Sequence, residues 1–334
     1  MKKIILSALM LTGALTFAQD GKLTISGTVD VYGTVNNIDG AGTPGLLVDA
    51  PQNATAFGLG MANTVFAYEA EKSGVVADLA FGPRAADAAS GSNINQLYAY
   101  YNVNDKLTVT AGQFNTFLGY EVISAAANFN YTVSYLFNAG PFTHVGVKAD
   151  YAVNDDLSLM LAVTNPHGNF TTGYGEDDVQ LGAQVGFKGQ FLNFAYGSDG
   201  FGANDQLYVD YTGGFDLSES IYLGINAAYS DSSDTGSGYQ GAALYLQGAV
   251  SETLSLGLRP EYFLATSNGG DSAVTALTFT ASKQVDNNLK VIAEARLDTA
   301  DDLGGLENSS NDVTAAFPND KEATTFTVAA VYSF

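Results

Sequence analysis

Only two imidazoles, His144 and His167, stand in this chain of 334 residues, and it contains no cysteine. A Ser–His hydrolase needs a positioned serine, and no G-x-S-x-G turn accompanies either histidine. A zinc site needs clustered Cys and His ligands, a spacing that two distant histidines do not supply. The stretch DTGSGYQG, residues 234 to 241, holds two further apparent motifs. Its DTG requires a second matching lobe whose carboxylate shares a proton with the first, and there is no second DTG. Its Gly236-x-Gly238-x-x-Gly241 requires a following helix in a βαβ unit, whereas the next residues, AALYLQGAV, read as a strand. A Gly/Ser/Asp loop accounts for the stretch. The chain is expected to be no enzyme and to use no cofactor; a barrel hydrolase built on histidine has no motif behind it.

Carboxylates are plentiful instead. Glu176, Asp177, Asp178, Asp231, Asp234, Asp301, Asp302, Glu307, Asp312, Asp320 and Glu322 crowd segments that read as loops. Like charges ordinarily sit on a solvated face. The functional alternative is divalent cations held by oxygen ligands between loops or against lipopolysaccharide. No calcium-loop spacing is present, so no metal site is expected.

The elements that must position these residues are strands. In KLTISGTVDVYGTVN, residues 22 to 36, the odd positions are Leu23, Ile25, Gly27, Val29, Val31, Gly33 and Val35, and the even positions are almost all polar. This is period two. The same alternation recurs in Leu157-Leu159-Leu161-Val163, Val179-Leu181-Ala183-Val185-Phe187 and Leu289-Val291-Ala293-Ala295-Leu297. No segment carries a sustained helical stripe, so the chain reads as all-β.

Strands are expected at 22 to 36, 57 to 72, 75 to 83, 94 to 103, 106 to 116, 143 to 153, 157 to 164, 178 to 188, 190 to 197, 206 to 214, 220 to 230, 239 to 250, 253 to 263, 273 to 284, 289 to 298 and 323 to 334. The even-numbered connections are mostly tight and the odd-numbered ones longer, which is the rhythm of a closed antiparallel transmembrane β-barrel of about 16 strands, with 12 to 14 as the alternative. A soluble sandwich also alternates. The loop rhythm, the charged polar faces and the end TFTVAAVYSF, with Phe326, Val328, Ala330, Tyr332 and Phe334 on one face, weigh against it. Closure is required in hydrocarbon because an open edge leaves unpaired backbone groups, each costing several kcal/mol. About eight strands can be filled by side chains, whereas about 16 leave an aqueous channel.

Address and charge agree with that architecture. Residues 1 to 18, MKKIILSALMLTGALTFA, have signal-peptide grammar, with cleavage expected before Gln19 and the barrel over 19 to 334. Removing them leaves 11 basic residues against 35 acidic, a net charge of −24, which argues against nucleic acid and anionic membrane surfaces as partners. The expected surroundings are outer-membrane lipid and lipopolysaccharide.

Polar parity gives a provisional lumen wall: Glu69, Glu71, Asp78, Lys148, Asp150, Asp210, Arg259, Glu261, Glu294, Arg296 and Asp298. Cross-strand ion pairing is the ordinary role for such residues. Charged rings also choose between ions, and the excess of acids points to a weak cation preference.

The alternation stops after GQFNTFLGYE, residues 112 to 121, and the third long connection, 117 to 142, begins. GQFNTFLGYEVI, followed by SYLFNAGPFTHVGVK at 134 to 148, resembles the hallmark region of the OmpL-like β-barrel porin family of bacterial outer membranes, through Leu118, Gly119, Tyr120, Glu121, Tyr135, Leu136, Phe137, Pro141, Phe142, Thr143 and His144. The match covers about 40 residues. It implies an outer-membrane porin for ions and small hydrophilic solutes and carries over no particular solute. In general porins of 16 strands the third loop folds inward and narrows the channel; by that likeness Tyr120, Glu121, Asn128, Asn130, Tyr131 and Tyr135 are the candidate constriction residues, and a homotrimer is the analogous assembly. The alternative is a non-channel barrel serving adhesion or binding through its acidic loops.

Overall fold

The computed structural model describes residues 21–37, 45–46, 55–88, 93–166, 179–199, 203–300 and 322–334. The 1–18 segment, His167 and the acidic residues at 176–178, 301, 302, 307, 312 and 320 lie outside them.

The strands are β1 (Lys22–Asn36), β2 (Thr55–Glu69), β3 (Ser73–Phe81), β4 (Ile94–Asn104), β5 (Leu107–Asn115), β6 (Thr143–Ala152), β7 (Leu157–Thr164) and β8 (Gln180–Phe187). They continue with β9 (Gln190–Gly197), β10 (Gln206–Asp216), β11 (Ile221–Ser232), β12 (Ser237–Ala249), β13 (Leu254–Thr266), β14 (Ser272–Gln284), β15 (Leu289–Ala300) and β16 (Glu322–Ser333). Each pairs antiparallel with its sequence neighbours, and β1 pairs with β16, so 16 strands close into a barrel. The Oγ1 atoms of Thr34 and Thr327 hydrogen-bond across that seam at 3.2 Å.

Period two becomes inside and outside. On β16, Phe326, Val328 and Tyr332 are exposed while Thr325, Thr327, Ala329 and Val331 are buried. On β1, Val29, Val31 and Val35 point out, and Asp30, Tyr32, Thr34 and Asn36 are buried. The outer wall is therefore a band of exposed aliphatic and aromatic side chains, the surface a hydrocarbon environment favours.

The rim where β1 starts and β16 ends has short turns, several of them closed by one recurring device. Asn104 Oδ1 accepts the N–H groups of Lys106 and Leu107, Asn154 Oδ1 those of Asp156 and Leu157, and Asp286 Oδ1 those of Asn288 and Leu289. A short polar side chain thus satisfies two turn donors. Opposite, the connection from β5 to β6 runs from 116 to 142.

Most strand ends shift by one to three residues from expectation, and three differences bear on the residues named above. β2 ends at Glu69 because Ala70 N–H donates to Ser73 O at 2.8 Å, closing the turn early; Glu71 therefore sits in an exposed turn and not on the wall. β12 begins at Ser237, so most of the supposed loop DTGSGYQG is strand after a tight turn at Gly236, whose φ of +63° suits glycine. Two short helices also occur, α1 (Pro83–Ala88) and α2 (Tyr135–Ala139), too brief to leave a helical stripe.

The β1–β2 ladder shifts register between Val29 and Val31. There Asp30 Oδ1 accepts the Met61 N–H at 3.1 Å. A Cβ at Gly60 would collide with the Asp30 carboxylate, so this close approach requires glycine.

Candidate functional site

Segment 116–142 leaves β5 through a hydrogen bond between Thr116 Oγ1 and His144 Nε2, 2.9 Å apart, with the Phe117 ring stacked on the imidazole at 4.6 Å. Gly119 then takes a φ of +85°, a left-handed conformation that favours glycine, and its N–H donates to Asp210 Oδ1 at 2.8 Å. The LGYE stretch is thus turned toward the inner face of β10.

The remainder of the segment is bonded to inward side chains of β1 and β13–β15. Arg259 Nη1 donates to Glu121 Oε1 at 2.6 Å and to Thr132 O at 2.6 Å. The other oxygen of Glu121 accepts from the Ser134 backbone and hydroxyl. Glu294 takes the N–H groups of Tyr131 and Thr132 at 2.7 and 2.9 Å, the Thr132 hydroxyl and that of Thr280. Glu261 accepts the Leu136 N–H at the start of α2. Arg296 bonds both oxygens of Asp298 and Val133 O, and Tyr135 donates its hydroxyl to Asp298 while its ring faces the Arg296 guanidinium at 4.8 Å. Hydrogen bonds to charged groups contribute roughly 1.5–3 kcal/mol each. The wall charges therefore fasten the segment.

Of the wall residues named from parity, Asp210, Arg259, Glu261, Glu294, Arg296 and Asp298 are brought together by this contact. Asp78 sits apart, accepting the side-chain amides of Asn63 and Asn95. Lys148 and Asp150 pair with each other at 2.6 Å along one strand and remain partly exposed. Glu69 lies exposed at the short-turn rim, opposite Lys22 in the ladder. The ordinary cross-strand role proposed for these charges does not describe the main cluster: most reach into the lumen to the segment.

The candidate constriction residues divide likewise. Glu121, Asn128, Asn130, Tyr131 and Tyr135 are buried against the wall, with little of each residue exposed. Asn128 clamps the backbone of Val122 from both sides, Asn130 donates to Thr280, and Tyr131 donates its hydroxyl to Asp30 at 2.6 Å. The physical reason is charge burial: the Glu121 carboxylate is stable in a dry contact because Arg259 and Ser134 meet it there. Tyr120 remains half-buried, stacked on Tyr245 at 4.2 Å.

Sequence reasoning missed three fasteners. Asp30 stands on the polar parity of β1 and binds Tyr131. Arg84, from α1, donates to Ile123 O and Tyr131 O. Lys290 Nζ donates to the carbonyls of Ala126 and Asn128 at 3.1 Å each, reaching the segment where it approaches the short-turn rim.

A family model described as "Putative beta-barrel porin-2, OmpL-like" matches residues 22–334. No curated protein matches the chain in sequence. Among solved structures, the outer membrane channel DcaP of Acinetobacter baumannii superposes with a TM-score of 0.65 at 14% identity, over 94% of this chain and 97% of that one. An anion-selective porin from Comamonas acidovorans gives 0.65 at 12% identity over 94% and 100%. In-vitro folded OmpT of Vibrio cholerae, in its trimer form, gives 0.59 at 12% identity over 95% and 100%. At these identities the likeness is one of fold.

Proposed function

Because the chain belongs to the OmpL-like β-barrel porin family, we propose that it is an outer-membrane porin for passive diffusion of ions and small hydrophilic solutes, narrowed by segment 117–142. The observation that carries this reading is one-sidedness. The segment is hydrogen-bonded to β1, β10 and β13–β15 and packs also on β2, β3, β11, β12 and β16, while inward side chains of β4 and β6, among them Tyr98, Tyr100, Lys148 and Asp150, stay partly exposed. A plug bonded all round would bury them.

Weak cation preference follows from the inward charges among the described residues. Asp30, Asp78, Glu121, Asp150, Asp210, Glu261, Glu294 and Asp298 outnumber Arg84, Lys148, Arg259, Lys290 and Arg296. Their mutual pairing screens most of the field, so the preference is small. Export through the 1–18 leader, lipid and lipopolysaccharide around the apolar wall, and a homotrimer complete the proposal; the trimer rests on likeness to the trimeric OmpT. No covalent chemistry enters.

Conductance of the purified, folded protein in a planar bilayer tests this directly. Discrete steps are expected. A folded preparation giving none would overturn the channel reading and favour a barrel that binds through its acidic loops.

A further inference from the structure

Where segment 116–142 approaches the short-turn rim, it encloses with β11 and β12 a cavity of about 250 Å³. The rings of Tyr120, Phe129, Tyr222 and Tyr245 line it together with Glu121, Gln247 and the amides of Asn128 and Asn130. Two glycines make room for this aromatic lining: a Cβ at Gly224 would strike the Tyr120 hydroxyl, and one at Gly214 would strike the Tyr222 hydroxyl.

The cavity offers no uncompensated charge. Both oxygens of Glu121 are engaged, one by Arg259 and the other by Ser134. An ion entering would lose water and meet no opposite charge, a costly exchange. What remains is aromatic surface beside hydroxyls and side-chain amides, among them that of Gln247, which is half-buried, shows no side-chain hydrogen bond among the described residues and brings two donors and an acceptor. A sugar has the matching chemistry: C–H faces that lie on aromatic rings and a rim of neutral hydroxyls that exchange hydrogen bonds with amides and phenols.

We propose that this cavity is a binding subsite for a neutral polyhydroxylated solute of mono- or disaccharide size passing through the lumen. The proposal rests on the diffusion-channel reading. The subsite would raise the residence of such solutes in the barrel over that of ions of similar size.

Calorimetric titration of the folded, full-length protein with maltose, and separately with gluconate as a charged counterpart, tests it. Maltose is expected to bind, gluconate at least tenfold more weakly. Gln247→Leu and Tyr222→Phe should each weaken maltose about fivefold, the effect of one hydrogen bond, in protein whose circular dichroism matches the parent. Absent maltose binding, equal gluconate binding, or unchanged affinity in the folded variants would overturn the subsite. Bilayer conductance of the same preparation keeps the two readings apart: steps without maltose binding sink the subsite alone, and maltose binding without steps sinks the channel alone.

Discussion

Arg259 Nη1 lies 2.6 Å from Glu121 Oε1, joining residues 138 positions apart with both side chains at 2% exposure or less. The pair ties a barrel strand to the segment crossing its lumen. A buried pair of this kind adds little over an apolar contact, but removing one partner leaves a stranded charge costing about 3–5 kcal/mol. Arg259→Met should therefore lower the local opening free energy of the segment by about that amount. Amide exchange at Thr132 and Ser134 reads it, while the strand signal in circular dichroism stays intact. Unaltered exchange at both amides would count against the fastening role.

Glu294 gathers four donors on two oxygens, three of them from Tyr131 and Thr132. Glu294→Gln keeps the shape but turns an amide NH2 toward two donors. A loss of about 1.5–3 kcal/mol in segment attachment is expected. Glu69→Gln, at the exposed rim, should stay within about 0.5 kcal/mol. Chemical denaturation of the refolded protein, followed through segment proteolysis, separates the two; equal effects would contradict the assignment.

The turn before β15 should be acid-sensitive. The Asn288 and Leu289 N–H groups donate to Asp286 at 2.8 Å each and hold its carboxyl below the usual carboxylate range. With the folded pKa below the unfolded one, near 3.9, the contribution is present above the unfolded value and is lost as pH falls through the folded one. Asp286→Ala should lower the unfolding midpoint at pH 7, and the gap from the parent should close progressively below about pH 4. A gap constant with pH would refute this.

Selectivity should be slight and cationic. Under a KCl gradient the reversal potential is expected to favour potassium modestly, and Asp150→Asn, altering a partly exposed carboxylate, should move it toward chloride. A parent channel that favours chloride would contradict the charge argument.

Period two made the barrel legible, since Leu23 to Val35 fix one face of β1 and Phe326 to Phe334 one face of the last strand. The strand ends were less so. Glu71 fell off the wall because a backbone bond from Ala70 to Ser73 sets the turn, and backbone closure leaves no alternation to read. At the site, parity gave facing but not reach: it named Arg259, Glu294 and Arg296 without showing that their partners lie in one distant segment. Asp30 shared that parity and its role depends on Tyr131, 101 positions away. Arg84 comes from a short helix, where strand parity has no meaning.

Segment 117–142, held to one side of the wall, is expected to set the bore. Single-channel conductance of a variant lacking residues 122–140, beside the parent in the same salt, measures this. A clear rise in conductance with weaker selectivity is expected, from a barrel that still folds. Equal conductance in a folded variant would show that the narrowest point lies elsewhere.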